Sequence, residues 1–354
     1  MKRKLVFYIV VLMLILLIGC NSTKNNEDFF DVYKAKEVGN KFMQSLTYGS
    51  ISDIDKICTD NVKKQEDYKH IGENKVGAYR TEKTIEGADF AKIDYMVIRK
   101  DEENLRADLD EMSIKIIKDG NSYLIDEIKA KSNNEVYEKE GNLRITNEEI
   151  GNNNLLLRIK DLPNEVYSKG SDVVLNKKSI DNVKFSRVAI GFNGDKIGIV
   201  TSNNEKSCIL LATIKESQST LGQEESSQNN ENKNNNDTDL KLEKALETPI
   251  ADKVIGYDLI DGSDIKEMLF SNDDGQLIVQ INNEKGSYIR VYRNSTGELL
   301  NEFGIEEKFP ESKYSIRLKC VNDKGALIEI ESKEDKKVEN YILDLNKMEI
   351  IKDK

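Results

Sequence analysis

The sequence IKIIKDGNSYLIDEIKA, at residues 114–130, decides how the first part of the chain folds. Apolar and polar residues alternate on both sides of the pair Asp119-Gly120. An Asp-Gly pair between two alternating runs is a strong signal for a two-residue hairpin turn. The sequence therefore predicts two long antiparallel strands joined by a tight turn, with Tyr123 and Ile125 on the second strand.

The segments before this hairpin predict helices and then a further strand. Apolar residues spaced three and four apart over residues 28–46 favour an amphipathic helix, which Gly49 ends. A shorter helix is expected near residues 52–64. Residues 65–88 are polar with scattered glycines, which favours a loop with room for one short strand. Alternation resumes over residues 90–98 and predicts another strand.

This order of helices and strands resembles the NTF2-like domains of exported bacterial proteins, which often end in a strand pair of the form v-k-x-x-G-x-W-x-I-d. The matching residues, with a tyrosine replacing the usual Trp, are Lys118, Gly120, Tyr123, Ile125 and Asp126. The resemblance covers residues 28–131 and implies an α+β domain with helices on a curved antiparallel sheet. Some members are enzymes, but no Asp/His or Tyr/Asp pair here matches their active sites. The single histidine, His70, is predicted to be a surface loop residue.

The first residues of the chain have the pattern of a secretory signal peptide. Three basic residues at positions 2–4 precede an unbroken apolar run of 14 residues, from 5 to 18. A transmembrane helix needs about 17–25 residues, so this run is too short to span a bilayer well. A basic segment followed by a short apolar core is typical of an exported protein.

The end of that run, residues 17–20 (Leu-Ile-Gly-Cys), resembles the lipobox of bacterial lipoproteins. The resemblance implies transfer of diacylglycerol to the thiol of Cys20 and cleavage between Gly19 and Cys20. Residues 1–19 would then be the signal peptide and residues 20–27 a lipidated tether. Two or more acyl chains would anchor the protein stably on the extracytoplasmic face of the cell membrane. The alternative is an uncleaved anchor in which Cys20 is an ordinary apolar residue.

Composition excludes several classes of protein. The 354 residues include 53 Lys and Arg against 64 Asp and Glu, for a formal net charge of −11. The length favours about two domains, and the acidic balance argues against a nucleic-acid partner. A single histidine argues against His-rich zinc sites and a Ser/His/Asp triad. Because phosphate-binding glycine loops are also missing, we predict no cofactor and no metal.

Residues 132–354 are predicted to form a mainly-β domain. A glycine turn followed by an apolar strand recurs at Gly151, Gly194, Gly275 and Gly325, with spacings of 43, 81 and 50 residues. Repeats of about 40–50 residues with several strands each are typical of propeller blades. The pattern resembles the β-propeller repeats of TolB-like domains. Only four copies are visible, so closure of the ring stays open, and a β-sandwich is the alternative.

The longest of these spacings contains a low-complexity tract at residues 216–239. Its residues are almost all Glu, Ser, Gln, Asn, Asp, Lys and Thr. Such a composition cannot bury enough apolar surface to offset the entropy of ordering, so we predict that the tract is disordered. It is either an insert within the β domain or a hinge between two β halves.

Carboxylates are the main candidates for chemistry. Asp108 and Asp110 share one strand face, and carboxylates about 5–9 Å apart across a cleft can hydrolyse glycosides; a solvated strand face is the favoured interpretation. The segments 258–264 and 272–275 place carboxylates beside glycine turns, as calcium loops do. Neither segment has EF-hand spacing, so we predict hairpin turns instead.

The remaining candidates are aromatic and cysteine residues. Three aromatic residues could form a sugar-stacking face, although packing within a sheet is the favoured interpretation: Tyr288, Tyr292 and Phe303. Three cysteines in apolar surroundings are predicted to be buried thiols of the core, with their redox state left open: Cys58, Cys208 and Cys320.

Three functions remain open. The favoured one is a non-enzymatic lipoprotein of the cell envelope, anchored in the membrane through Cys20, which acts as a binding or adaptor protein for a protein partner. The second is a module that binds a glycan or another cell-wall ligand. The third is a hydrolase that relies on Asp and Glu. A two-lobed transporter-binding protein is disfavoured, because the β-α-β alternation that it needs is missing.

Overall fold

A computed structural model describes residues 29–72, 75–101, 104–147, 151–163, 165–167, 177–179, 182–214 and 246–353. The predicted signal peptide, the lipobox residues Gly19 and Cys20, the tether and the tract 216–239 lie outside these residues. The described part of the chain is mostly β-structure, with helices near its N-terminal end.

The helices within these ranges are α1 (Val32–Tyr48), α2 (Ile51–Asp55), α3 (Glu66–Lys69) and α4 (Ile305–Lys308). Short 3-10 turns occur at Val62–Lys64 and Ile159–Asp161. Among the described helices, none has the length and apolar character that a membrane crossing requires.

The strands of the N-terminal half are β1 (Lys75–Glu86), β2 (Phe90–Asp101), β3 (Arg106–Asp119), β4 (Ser122–Lys139), β5 (Asn142–Asn147), β6 (Asn152–Arg158), β7 (Glu165–Tyr167), β8 (Lys177–Ser179), β9 (Lys184–Ile190) and β10 (Lys196–Ser202). Those that follow are β11 (Lys206–Ile214), β12 (Ala251–Asp261), β13 (Asp264–Phe270), β14 (Gln276–Asn283), β15 (Gly286–Arg293), β16 (Glu298–Leu299), β17 (Tyr314–Asn322), β18 (Gly325–Ser332), β19 (Val338–Asp344) and β20 (Glu349–Lys352).

Helix α1 is bounded by residues that satisfy its free backbone groups. At its start the carboxylate of Asp31 accepts a hydrogen bond from the backbone N–H of Tyr33 at 3.0 Å, as a good N-cap residue does. At its end Gly49 adopts a left-handed conformation with φ of 70°, and its N–H donates to the carbonyl of Leu46. Apolar residues of α1, Phe42 among them, are completely buried against the sheet that follows.

Strands β1–β4 form a sheet that is covered on both faces over part of its area. Side chains of successive strand residues point to opposite faces. Tyr95 and Met112 pack in the cluster that includes the helices. Ile98 and Leu109, from the same two strands, pack in a second cluster with the C-terminal strands.

The C-terminal strands form three four-stranded antiparallel units, which we call blades. The first contains β9–β12, the second β13–β16 and the third β17–β20. Strand β17 also pairs with β1 in parallel, at Ala78 and Val321, so the third blade continues the N-terminal sheet. Strands β5 and β6 extend its other edge to give ten strands in all among the described residues.

Several sequence predictions are confirmed. The hairpin at Asp119-Gly120 joins β3 and β4, and Gly120 has the positive φ of 58° that the turn needs. Three of the four repeat glycines, at positions 194, 275 and 325, lie at the turn before β10, β14 and β18 or open that strand. Each of these strands is the second strand of a blade.

Other sequence predictions are wrong. Residues 65–88 contain a twelve-residue strand, β1, instead of a loop with one short strand. The outer half of β1 is polar and its inner half contains Gly77, so the sequence does not show the alternation typical of a strand. A Cβ atom at Gly77 would lie 2.9 Å from a methyl carbon of Leu269, so the glycine lets the second blade approach β1. The helix expected near 52–64 is only the five-residue α2. Gly151 precedes β6, which lies at the sheet edge and belongs to no blade.

The chain division predicted after residue 131 falls inside β4, which runs unbroken from Ser122 to Lys139. The sheet on which the helices pack therefore continues without a break past that position, and the third blade belongs to the same sheet. The tract 216–239 connects β11 to β12, which pair with each other from Ile214 and Ala251 onward. The ends of that connection thus lie side by side within the first blade.

A buried charge cluster joins the first and second blades. The carboxylate of Asp258, on β12, is completely buried and accepts hydrogen bonds from the guanidinium of Arg290 and the hydroxyl of Tyr292, both at 2.8 Å. Burial is the main cause that raises the pKa of the Tyr292 hydroxyl, which therefore stays neutral and donates. A buried carboxylate with a charged partner and a hydroxyl donor is well satisfied.

We expect Asp258→Ala to lower the free energy of unfolding by about 3–5 kcal/mol, because it leaves the Arg290 charge buried without its partner. Tyr292→Phe removes one hydrogen bond and should cost about 1–2 kcal/mol. Urea unfolding followed by circular dichroism measures both changes. Equal costs for the two variants would contradict the assignment of a buried ion pair.

Candidate binding cleft

An open site lies on the face of sheet β1–β4 that is opposite the helices. The strand registers align Lys83, Asp94, Ser113 and Lys129 in one row across the four strands. Residues directly opposite each other in antiparallel strands point to the same face. Arg80, Met96, Glu111 and Lys131 form the next row toward the blades.

The blades set the boundary of this open face. Met96 packs in the apolar cluster that the blades share with the sheet, whereas Asp94 and Ser113, farther out, line a cleft of about 640 Å³. The cleft therefore begins where the blades stop covering the sheet. Its floor is made of strand side chains, so regular backbone pairing fixes their positions.

Basic side chains outnumber acidic ones in the cleft. Its lining includes five basic residues, Arg80, Lys83, Lys92, Lys129 and Lys131, and three acidic residues, Glu82, Asp94 and Glu111. This local excess of positive charge contrasts with the chain's net charge of −11. A patch of this sign attracts anionic groups, and the attraction weakens as salt is added.

Ion pairs within the sheet orient several of these side chains. Lys92 lies 3.3 Å from Asp94, and Lys129 lies 2.6 Å from Glu127. The hydrogen bond from Lys129 is the main cause that lowers the pKa of the Glu127 carboxyl, so Glu127 is ionised near neutral pH. Both pairs are largely exposed and hold their partners weakly. A charged ligand can therefore exchange for these contacts.

Arg80 fixes the cleft to two blades. Its guanidinium donates a hydrogen bond to the backbone carbonyl of Asn272, in the second blade, at 2.6 Å. It also lies 5.0 Å from the centre of the Phe192 ring, in the first blade. Arginine stacks on aromatic rings while its N–H groups stay paired. The wall of the cleft is thus attached to both blades through one side chain.

Carboxylates join the blade turns to each other and to β1. Asp274, almost completely buried, accepts hydrogen bonds from the backbone N–H groups of Phe192 and Asn193 at 2.8 and 2.9 Å. Burial is the largest influence on its carboxyl and raises the pKa, although the two N–H donors oppose it. Asp323, in the third blade, accepts from the hydroxyl of Thr81 at 2.6 Å. The three turns and β1 therefore meet beside the cleft.

The carboxylates considered for hydrolysis are not in this cleft. Asp108 is 4% exposed and pairs with Arg106 at 2.7 Å, whereas Asp110 pairs with Arg99 at 2.9 Å. The solvated strand face favoured from sequence is therefore wrong, because arginines on β2 and β3 let Asp108 be buried and Asp110 be largely shielded from solvent. Burial is the main cause that raises the pKa of Asp110, and Arg99 opposes it.

Hydrogen-bond donors within the protein satisfy the carboxylates of the acidic segments 258–264 and 272–275. Asp258 is in the buried cluster described above, and Asp273 accepts from the hydroxyl of Ser271 at 2.6 Å and from the N–H of Gly275 at 2.9 Å. Segment 272–275 is the turn between β13 and β14, as the hairpin prediction requires. Over the residues that the structure describes, no group of three or more His, Cys, Asp or Glu residues could hold a metal ion.

The aromatic residues considered for sugar stacking are packed inside the protein. Tyr292 and Phe303 are buried, and Tyr288 is partly buried. They do not form an exposed stacking face, which confirms the packing interpretation. His70 follows α3, and its side chain is 57% exposed beside Glu66, as predicted.

Sequence comparisons do not assign the chain to a family: no family model matches it, and no curated protein matches it. Among solved structures it is similar to TolB from Acinetobacter baumannii, with 10% identity and a TM-score of 0.33 over 83% of this chain and 73% of that one. It is also similar to an oligogalacturonate lyase in complex with manganese, with 8% identity and a TM-score of 0.36 over 78% of this chain and 73% of that one. Both neighbours have propeller-like folds. TM-scores of this size carry no argument about activity.

The three cysteines predicted to be core thiols are free and buried: Cys58, Cys208 and Cys320. Burial raises the pKa of each thiol to about 12. We expect Ellman's reagent at pH 8 to modify no thiol in a folded Cys20→Ala chain and three in guanidinium, because only the exposed thiolate reacts. Rapid reaction of any thiol in the folded chain would contradict this.

The same pKa shifts predict an alkaline limit to stability. A thiol is easier to ionise in the unfolded chain, whose thiol pKa is about 8.5. The stability that comes from keeping these thiols neutral is complete below that pH, and it is lost as the pH rises toward about 12.

Proposed function

We propose that this protein is a lipid-anchored, extracytoplasmic binding protein of the cell envelope that uses the cleft to hold an acidic segment of a protein partner. The observation that carries the proposal is the basic cleft on an open sheet face of an otherwise acidic chain. Its lysines project from strands whose positions are fixed by pairing and by Arg80. The site is thus prepared for binding without rearrangement of the backbone.

The lipid anchor is supported by the sequence at the N-terminus. The order of segments there is the one that export and acylation require: a basic segment, a short apolar run and then the lipobox-like residues 17–20. Acylation at Cys20 would leave residues 21–28 as a short link to Phe29, where the described fold begins. The binding cleft would then be held near the membrane.

The fold is proposed to combine an NTF2-like unit with a propeller-like arrangement of three blades. The first proposal is supported by the packing of α1 on sheet β1–β4. The second is supported by three consecutive four-stranded meanders, each with a turn that meets its neighbours beside the cleft. In this arrangement the N-terminal sheet takes the position of further blades, because it contacts both the first and the third blade.

The two alternative functions have less support. The aromatic residues that would make a glycan-stacking face are mostly within the core. The candidate carboxylates for hydrolysis, Asp108 and Asp110, are each held by an arginine. A protein partner with acidic side chains agrees best with the charge and the open shape of the cleft.

Charge reversal in the cleft tests partner binding. We expect Lys83→Glu combined with Lys129→Glu to reduce the partner recovered by in-cell cross-linking and affinity purification by about tenfold, because like charges would face each other. The matched control is Lys336→Glu combined with Lys347→Glu, which reverses two exposed lysines at turns of the third blade. Equal recovery from both variants, or no stoichiometric partner with the unaltered chain, would overturn the proposal.

Replacement of the acylated cysteine tests the anchor. We expect Cys20→Ala to move the protein from the membrane fraction to the soluble fraction, because no acyl chain can then be attached. The control Ser22→Ala keeps the residues at 17–20 intact and should stay with the membrane through an alkaline wash. Membrane association of the Cys20→Ala chain after that wash would argue against lipidation.

A further inference from the structure

Large exposed apolar side chains concentrate on the helical layer. The described chain exposes seven such residues, and four of them lie within residues 29–51: Phe29, Tyr33, Tyr48 and Ile51. The most exposed are Phe29, at 82%, and Tyr33, at 77%. The remaining three are scattered over β1 and the third blade. This distribution marks one side of the molecule as an interaction surface.

The start of the helical layer is held so that Phe29 points outward. The ring of Phe30 packs edge to face on Tyr123, with ring centres 5.1 Å apart. The hydroxyl of Tyr123 accepts a hydrogen bond from the backbone N–H of Asp31 at 2.6 Å. These two contacts fix the chain at Phe30 and Asp31. Phe29 is therefore left exposed just before a rigid helix begins.

Helix α1 continues the surface with aromatic and basic side chains. Tyr33 and Tyr48 are fifteen residues apart, which places them within about 60° of each other around the helix and about 23 Å apart along it. Between them the exposed face includes Lys34, Lys36 and Lys41, against one acidic residue, Glu37. Tyrosine near lysine is the combination that favours a membrane–water interface. The positive charge of these lysines also attracts the headgroups of anionic lipids.

The position of the proposed anchor selects the lipid bilayer as the occupant of this surface. Phe29 lies nine positions after Cys20, and a fully extended chain of that length spans at most about 30 Å. An acyl anchor at Cys20 would therefore hold Phe29 within reach of the lipid headgroups. A bilayer is present wherever the anchor is inserted, so its local concentration is high without any further partner.

We propose that Phe29, Tyr33 and the lysines of α1 form a membrane-docking face, which rests on the bilayer and sets the orientation of the anchored protein. The inference rests on the proposed lipid anchor. Phe29 and Tyr33 enter the headgroup region, and Lys34, Lys36 and Lys41 lie at the lipid phosphates. The helical layer therefore faces the membrane, and the opposite face of the sheet faces away.

The absence of tryptophan from the sequence gives a direct test. Phe29→Trp introduces a single fluorescent reporter in the full chain, and Val338→Trp introduces one at an exposed apolar position of the third blade. Each protein is reconstituted in vesicles of phosphatidylcholine and phosphatidylglycerol with or without brominated acyl chains. The control shows whether tryptophan itself drives contact with the membrane.

We expect brominated lipid to quench Phe29→Trp emission about twofold, since an interfacial side chain lies roughly 5–10 Å inside the headgroup boundary. Val338→Trp should not be quenched. Unchanged Phe29→Trp emission in protein that floats with the vesicles would overturn the docking face. Equal quenching of both variants would also overturn it, because the protein would then contact the membrane without a preferred orientation.

A second arm separates this inference from the proposed anchor. The chain that begins at Cys20 is coupled through that thiol to a maleimide-headgroup lipid, since the other three thiols are buried. Quenching in this chain supports the docking face, whether or not the cell-made protein floats with vesicles. If the cell-made protein does not float, that result refutes lipidation and leaves the docking face supported. An unquenched reporter in the coupled chain overturns the docking face whatever the cell-made protein does.

Discussion

The two apolar faces of sheet β1–β4 must be covered by two different layers, and the rest of the described molecule depends on this requirement. Strand residues point alternately to the two faces, yet every residue from Tyr95 to Ile98 is buried. The helices cover one face and the blades cover the other. Where the blades end, the second face becomes polar, and the cleft lies there. The cleft is therefore the uncovered remainder of a buried sheet surface.

Polar contacts at the junction between sheet and blades fix how the two layers meet. Lys100 on β2 forms an ion pair with Glu267 on β13, and both side chains are almost buried. Such pairs add little net stability, because desolvation offsets their attraction, but breaking one is costly. Together with Arg80 and Asp274 they therefore favour one position of the blades over neighbouring ones. The shape of the cleft follows from that position.

The sequence predicted the elements whose signals are local. The Asp119-Gly120 turn, helix α1 and the glycine turns at 194, 275 and 325 depend on residues close together in the chain. Strand β1 was missed because its outer half is exposed and its glycine admits a blade, which only the tertiary packing explains. The burial of Asp108 was missed for a similar reason. An alternating pattern of apolar and polar residues does not show that Arg106 pairs with Asp108.

The cleft could not be predicted, because its row of side chains depends on the register of four strands. Lys83 and Lys129 lie 46 positions apart in sequence, and the β-bulges in β1 and β4 shift which residues face each other. A partial signal was present, because Lys92 and Asp94 alternate with the buried residues Ala91, Ile93 and Tyr95 on a long strand. That signal indicates one polar face but does not say which part of it the blades leave open.

The proposed docking face and the proposed binding cleft are compatible because they lie on opposite faces of one sheet. The helices that would rest on the bilayer pack against Ile93 and Ile114, whereas the cleft is lined by Asp94 and Ser113, their neighbours along the same strands. A membrane on the helical side therefore leaves the cleft open to a partner. One sheet thus separates the proposed membrane-docking face from the proposed partner-binding cleft.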